Sequence, residues 1–195
     1  DATIREIHHR VKNNLQTVAS LLRIQGRRSK AAETIEALSD AERRVAAIAV
    51  VHDSLSEGLA QDVDFDAIFD RIITMVGELS VAYNAKVTNL RIGKFGRLPS
   101  EIATPLAVVL TELVTNAYEH GLANRKGHLT VTAKRKARKL LITVVDDGSG
   151  LDPATLNGLG TQLVKTLVES ELRGKIEFSS EKSGGTSISL EVALA

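Results

Sequence analysis

Thr111-Glu112-Leu113-Val114-Thr115-Asn116-Ala117-Tyr118-Glu119-His120-Gly121 is the stretch on which the reading of the fold turns. It ends a long helix expected from Pro99 to about His120, with Pro105 in or near its first turns. Glu112 and Asn116 are four positions apart and therefore share a helix face, with Glu119 and His120 one turn further on. An amide oxygen beside a carboxylate suits an octahedral magnesium ion that keeps most of its waters and its phosphate ligands. An amphipathic helix with a solvated polar face would carry the same residues, so the stretch acquires meaning only from the motifs downstream of it.

The first of these, Val144-Val145-Asp146-Asp147-Gly148-Ser149-Gly150-Leu151, ends a hydrophobic strand at an Asp followed by alternate glycines. Such an Asp can accept a hydrogen bond from an exocyclic amino group, and the glycines let backbone approach a flat base. A tight turn after a strand would use the same residue types. Next, Asn157-Gly158-Leu159-Gly160-Thr161-Gln162-Leu163-Val164 opens a helix, leaving free N–H groups and the positive dipole end for a phosphate. Gly184-Gly185-Thr186 precedes the last strand and either walls the same pocket or closes a hairpin.

Each piece is ordinary alone, but in this order and spacing they resemble the GHKL ATPase family of gyrase, Hsp90, MutL and the histidine kinases, over roughly residues 62–194. The resemblance implies an ATP site in which Asn116 ligates magnesium and Asp146 binds the adenine amino group. It further implies that Gly148, Gly150, Gly158 and Gly160 shape the pocket and that the amides from Gly158 through Leu159 to Thr161 lie near phosphate. Thr186 would contribute to the wall, and His120 stands where the kinases often place a phosphate-contacting residue. Glu112 would support the metal or orient its neighbours. One departure stands out: only residues 151–157 separate the two glycine motifs, without a phenylalanine motif, so the lid over ATP must be short.

Working outward, residues 66–81 repeat apolar positions at helical spacing, and 86–92, 129–134, 140–145, 175–180 and 186–192 read as strands. A helix is expected at 161–172, and residues 63–65 as a short strand. Strands mixed with helices, without strict βαβ alternation, indicate an α+β sandwich with helices on one face of a mixed sheet. Gly58 to Asp64 reads as a linker between a first unit, residues 1–58, and a catalytic unit, residues 62–195.

The first unit has no Pro and repeats Ile4, Ile7, Val11, Leu15, Val18 and Leu22 along one stripe of a helix to about Arg28. A turn at residues 26–30 leads to a second helix at 31–56, with Ile35, Leu38, Val45, Ile48, His52 and Leu55 near one stripe. This is a helical hairpin, which a second hairpin would complete as a four-helix bundle. At about 100° per residue, His9 points away from the apolar stripe and His8 lies about 60° from it.

His8-His9-Arg10-Val11-Lys12-Asn13-Asn14-Leu15-Gln16 resembles the phosphoacceptor helix of the His-Arg-Val-Lys-Asn class of sensor histidine kinases, closest to the cytosolic actinobacterial kinases of the PdtaS type. That class implies His9 as the phosphoacceptor, Asn13 as a candidate for positioning water, and Glu6 as a candidate base for the other ring nitrogen. It implies ATP-dependent autophosphorylation, transfer to an Asp of a response regulator and a place in the cytoplasm; a homodimer is expected because the apolar stripe of the hairpin needs burial. Two rivals remain: a GHKL serine kinase of the anti-sigma type, which would have no histidine hairpin, and a degenerate kinase serving as a nucleotide-gated dimerisation module.

The bulk properties agree. The chain has 195 residues, 43% hydrophobic and 25% charged, with net charge +1, so no overall field favours nucleic acid or an acidic membrane. No Cys is present, which excludes disulfides and thiol chemistry, and no apolar run approaches the roughly 20 residues that cross a bilayer. No His/Asp/Glu spacing suggests zinc. The basic run Lys134 to Lys139 reads as a solvated hairpin tip, His52 as a packed core residue and His128 as a strand-start surface residue. The start at Asp1, inside the expected helix and without Met, suggests a piece of a longer protein.

Overall fold

The computed structural model describes residues 2–57 and 62–194. Helices α1 (Ala2–Arg28) and α2 (Ala32–Glu57) form the expected hairpin. The expected linker lies largely outside the described residues. Its last part is the short strand β1 (Asp62–Asp64), displaced by a residue from the expected one and paired antiparallel with β3 (Arg97–Pro99).

Asp64 then caps α3 (Phe65–Gly77), accepting the Asp66 and Ala67 amides at 3.1 and 3.4 Å. The expected helix to residue 81 breaks at Glu78 into a further single turn, α4 (Leu79–Ala82). Asp66 takes the Phe95 and Gly96 amides and the Arg91 guanidinium, which ties the loop after β2 (Lys86–Gly93) to the start of α3.

Helix α5 (Ser100–Asn116) is buried nearly all round from Ala103 to Thr115, as a helix between two layers must be. Its last residues, Ala117–Gly121, widen into a π-helical turn where a continuous helix was expected. Strands β4 (Lys126–Lys136) and β5 (Lys139–Asp146) come next, joined at the basic tip. Then come the short helix α6 (Pro153–Leu156), and α7 (Leu159–Thr166) with its own π-helical turn Leu167–Glu171. Strands β6 (Lys175–Ser180) and β7 (Thr186–Ala193) complete the chain.

The five-stranded sheet runs β2-β4-β5-β7-β6, parallel at β2–β4 and antiparallel elsewhere. Alternate residues face the helices: Leu129, Val131 and Ala133 on β4, Leu140, Ile142 and Val144 on β5, and Ile188, Leu190 and Val192 on β7. This is the α+β sandwich expected. The hairpin departs in one respect. Its second helix buries Ala47, Val51 and Leu55 in the same core as α3 and α5, so α2 packs on the sandwich as well as on α1. Of the expected α1 stripe, Ile7 and Val18 stay about half exposed.

Candidate nucleotide site and phosphoacceptor helix

The end of β5 places Asp146 at the floor of a narrow cavity. Its carboxylate is buried and accepts the Gly148 amide at 2.9 Å. Burial pushes its pKa up, while hydrogen bonds from the Gly148 and Thr186 amides and the Thr186 hydroxyl pull it back. A Cβ on Gly148 would lie 2.1 Å from the Gly121 carbonyl oxygen and 2.7 Å from Asp146 Oδ1, so no other residue fits there. Thus Asp146, Gly148 and Thr186 come together as expected, with Gly150 at φ +90° on the cavity wall. The neighbouring Asp147 faces away and pairs with exposed His128 at 2.8 Å.

The cavity beside Asp146 holds about 30 Å³ and is closed by Leu151, Thr155 and Leu156 of the lid. Ligand sites are ordinarily about tenfold larger. Phe178 of β6 supplies the aromatic wall. Sequence reading missed it; its signal was the period-two alternation of Ile176 and Phe178 along an edge strand.

Asn116, half-buried at the C-terminus of α5, lines this cavity and a second, larger one of about 400 Å³. Gly158, Leu159, Gly160 and Thr161 line the second, with exposed His120 between the two. The first amides of α7 have no intrahelical acceptor, which suits phosphate. The Thr161 hydroxyl does not face it freely, since it donates to the Thr155 carbonyl at 2.7 Å and so ties down the lid.

The donor set fits a magnesium ion held mainly by water and phosphate. The Asn116 amide supplies a hard oxygen, which is enough where water and phosphate complete the shell. Glu112, expected to support the metal or orient its neighbours, lines the same larger cavity as Asn116. Both its carboxylate oxygens accept from Arg44 of α2, at 2.8 and 3.0 Å. Arg44 carries no motif, and the sequence gives no sign of this pairing. Among the described residues no cluster of three or more His, Cys, Asp or Glu side chains is arranged to hold a metal.

On the hairpin, His9 is exposed and His8 half-buried, as the helix-face count requires. His8 Nδ1 lies 3.2 Å from His52 Nδ1, which accounts for both as packed side chains. Glu6 is engaged by Arg10 at 2.8 Å rather than by His9. That contact, with the charge of Arg10, holds its pKa below the usual carboxylate range. Asn13 is exposed one turn beyond His9, and Lys12 pairs with Asp53 of α2.

A buried Asp ringed by glycine turns, an Asn one helix away, and an exposed histidine on an attached hairpin define the GHKL-type kinase class. Residues 6–80 match the family described as "Histidine kinase", and residues 101–195 the "Histidine kinase-, DNA gyrase B-, and HSP90-like ATPase" family. The chain belongs to the histidine kinases. It is 46% identical over 98% of its length to the sensor histidine kinase PdtaS of Mycobacterium tuberculosis (strain H37Rv), of which it spans 39%. A solved histidine kinase domain from the blue-light-activated kinase EL346 of Erythrobacter litoralis superposes with a TM-score of 0.69 at 25% identity, covering 100% of this chain and 92% of that one. An anti-sigma F factor of Clostridium kluyveri is 27% identical over 43% of this chain and 65% of its own.

Proposed function

We propose that this chain is the kinase core of a two-component system, which phosphorylates His9 from ATP and passes the phosphoryl group to an Asp of a response regulator. Residues 1–58 would serve as the phosphotransfer and dimerisation unit and residues 62–195 as the ATP-binding unit. The observation that carries this is the pairing, in one chain, of an exposed His9 with the buried, glycine-ringed Asp146. The hairpin is also what an anti-sigma serine kinase would lack.

Asp146 accepts the adenine amino group, Phe178 covers the base, and the α7 amides with His120 hold the phosphates. Magnesium, held through the Asn116 amide oxygen, would neutralise charge on the phosphates during transfer. The neutral His9 ring nitrogen attacks the γ-phosphorus, the bond to the bridging oxygen breaks, and ADP leaves. Glu6 can hold the other ring nitrogen by exchanging Arg10 for it, a change that costs little because exposed ion pairs are weak. Asn13 orients water for dephosphorylation of the regulator. No described helix is long and apolar enough to cross a membrane. A cytoplasmic location, where ATP and regulators meet, belongs to this proposal.

The test is incubation of the chain with magnesium and γ-labelled ATP, beside His9→Ala and His8→Ala variants. Acid-labile, base-stable label lost with His9→Ala and kept with His8→Ala supports the reading. Label that survives His9→Ala removes His9 from its role.

A further inference from the structure

The net charge of +1 is an average that the fold resolves into two unlike ends. Strand β5 begins at Lys139 and ends at Asp146, and β7 runs back beside it from Thr186 to Ala193. At about 3.4 Å per residue, the Asp146 cavity and the β4–β5 turn lie about 24 Å apart along these strands. The cavity end carries Asp146, Asp152 and Glu119. The other end collects cations that are scattered in the sequence.

Lys134, Lys136 and Arg138 stand on the β4–β5 turn, Lys94 just after β2, and Arg173 and Lys175 where β6 begins; all six are exposed. Long-range bonds hold the three segments on one rim. Arg135 donates to the Phe95 and Arg97 carbonyls at 3.1 and 3.0 Å, fastening the loop after β2 to the turn. The Leu194 amide donates to the Arg138 carbonyl at 2.7 Å and the Ala193 amide to the Leu172 carbonyl at 3.3 Å, which brings Arg173 alongside. Among the described residues none of the six cations forms an ion pair. Several acids near the rim are engaged already: Glu191 by Lys139 at 2.6 Å, Asp66 by Arg91 at 2.8 Å, and Asp64 by the first amides of α3. Exposed Glu171 and Glu177 offset part of the charge and leave the rim strongly positive.

We propose that this rim docks on the anionic lipid face of a membrane. Its construction favours lipid over nucleic acid. None of the six cations lies on a helix that could enter a duplex groove. The aromatic of the loop, Phe95, is fully buried, so single-stranded bases find nothing to stack on. Four of the six are lysines, compact hydrated charges that meet a headgroup layer from outside, whereas arginine forks suit bidentate recognition of phosphate and bases. No described helix is long and apolar enough to cross a membrane, so the attachment is electrostatic and reversible. Docked by this rim, the chain keeps its Asp146 cavity turned away from the lipid and open to solvent.

The test is sedimentation of the full chain with vesicles of phosphatidylcholine alone and of phosphatidylcholine mixed with phosphatidylserine. The native protein is compared with a rim variant, Lys134→Gln with Lys136→Gln and Arg138→Gln. A charge-matched variant at the exposed hairpin turn carries Arg27→Gln, Arg28→Gln and Lys30→Gln. The native chain is expected to bind the mixed vesicles alone, and less as salt rises. Each Lys or Arg near an anionic surface is worth about fivefold in partitioning, so the rim variant should lose about a hundredfold. The hairpin-turn variant should lose no more than about fivefold. Circular dichroism and affinity for a fluorescent ATP analogue should be the same in all three, which shows the fold intact. Absence of binding to the mixed vesicles overturns the assignment, as does an equal loss in the two variants. A single-stranded RNA homopolymer and a DNA duplex are tested in parallel. If either binds at lower concentration than the mixed vesicles and the rim variant loses it, the rim is a nucleic-acid surface and the lipid assignment falls.

Discussion

Burial lifts the Asp146 carboxyl above its ordinary pKa, and the Gly148 and Thr186 donors restrain the rise. The folded protein therefore binds a proton there more tightly than the unfolded chain does. The contribution of Asp146 to stability is complete below the unfolded carboxylate range and declines as pH climbs through its raised folded value. Base recognition runs the other way, because only the ionised carboxylate has both oxygens free to accept. Analogue affinity measured against pH should rise through the raised Asp146 pKa while the unfolding midpoint attributable to this group falls. Replacing Asp146 with Asn removes a charged acceptor worth about 1.5–3 kcal/mol. Analogue affinity should drop about tenfold or more. Retained affinity would show that the base is held elsewhere. At this scale Asp146, Gly148, Asn116 and the α7 glycines were legible, since their residue types are dictated by backbone approach and acceptor chemistry. Arg44 and Phe178 were not, because an Arg on a polar helix and a Phe on a strand look the same whether or not a site lies opposite them.

Among the elements, α3 illustrates how local signals and long-range anchors combine. Asp64 caps it, and Asp66 in its first turn holds two amides of the 93–97 loop together with Arg91. Asp64→Ala should cost about 1 kcal/mol in denaturant unfolding. Asp66→Ala should cost more, since it leaves the Phe95 and Gly96 amides without acceptors; an equal or smaller loss would show that water replaces it freely. The α2–α5 seam makes a prediction in pH. Asp40 faces Glu36, Arg43 and Arg44 on its own helix and Glu112 opposite; Glu119 faces Tyr83, His120, Glu36 and Asp40. Burial, with the Glu119 hydrogen bond, drives Tyr83 itself up to about 12. Because both carboxylates hold protons more tightly when docked, the seam should loosen as pH rises above the ordinary carboxylate range. Hydrogen exchange in α5 and α2 that slows instead with rising pH would contradict this. Helix periodicity marked α1, α2 and α3 in the sequence, and the prolines at its start marked α5. The π-helical turns after α5 and α7 escaped it, because one extra residue per turn shifts a face without changing composition.

For the whole molecule, α1 leaves Val18 and Leu21 about half exposed while α2 is covered by both α1 and the sandwich. A second hairpin would bury that stripe, and the chain should sediment as a dimer at micromolar concentration. Val18→Asp with Leu21→Asp should yield monomers that retain analogue binding. A native chain that is monomeric throughout would mean that the stripe serves another partner or none. Fold class, the hairpin, the exposed His9 and the Asp146 pocket were determined by the sequence alone. Periodicity, helix angle and glycine placement are local, and each is set by residues close together in the chain. The distant pairings were decided by the tertiary structure: Arg44 with Glu112, Asp53 with Lys12 and Arg71, Phe178 over the base cavity, and α2 in the sandwich core. Charged and apolar side chains of one type are interchangeable in sequence, and which of them meet is settled by the packing of whole layers.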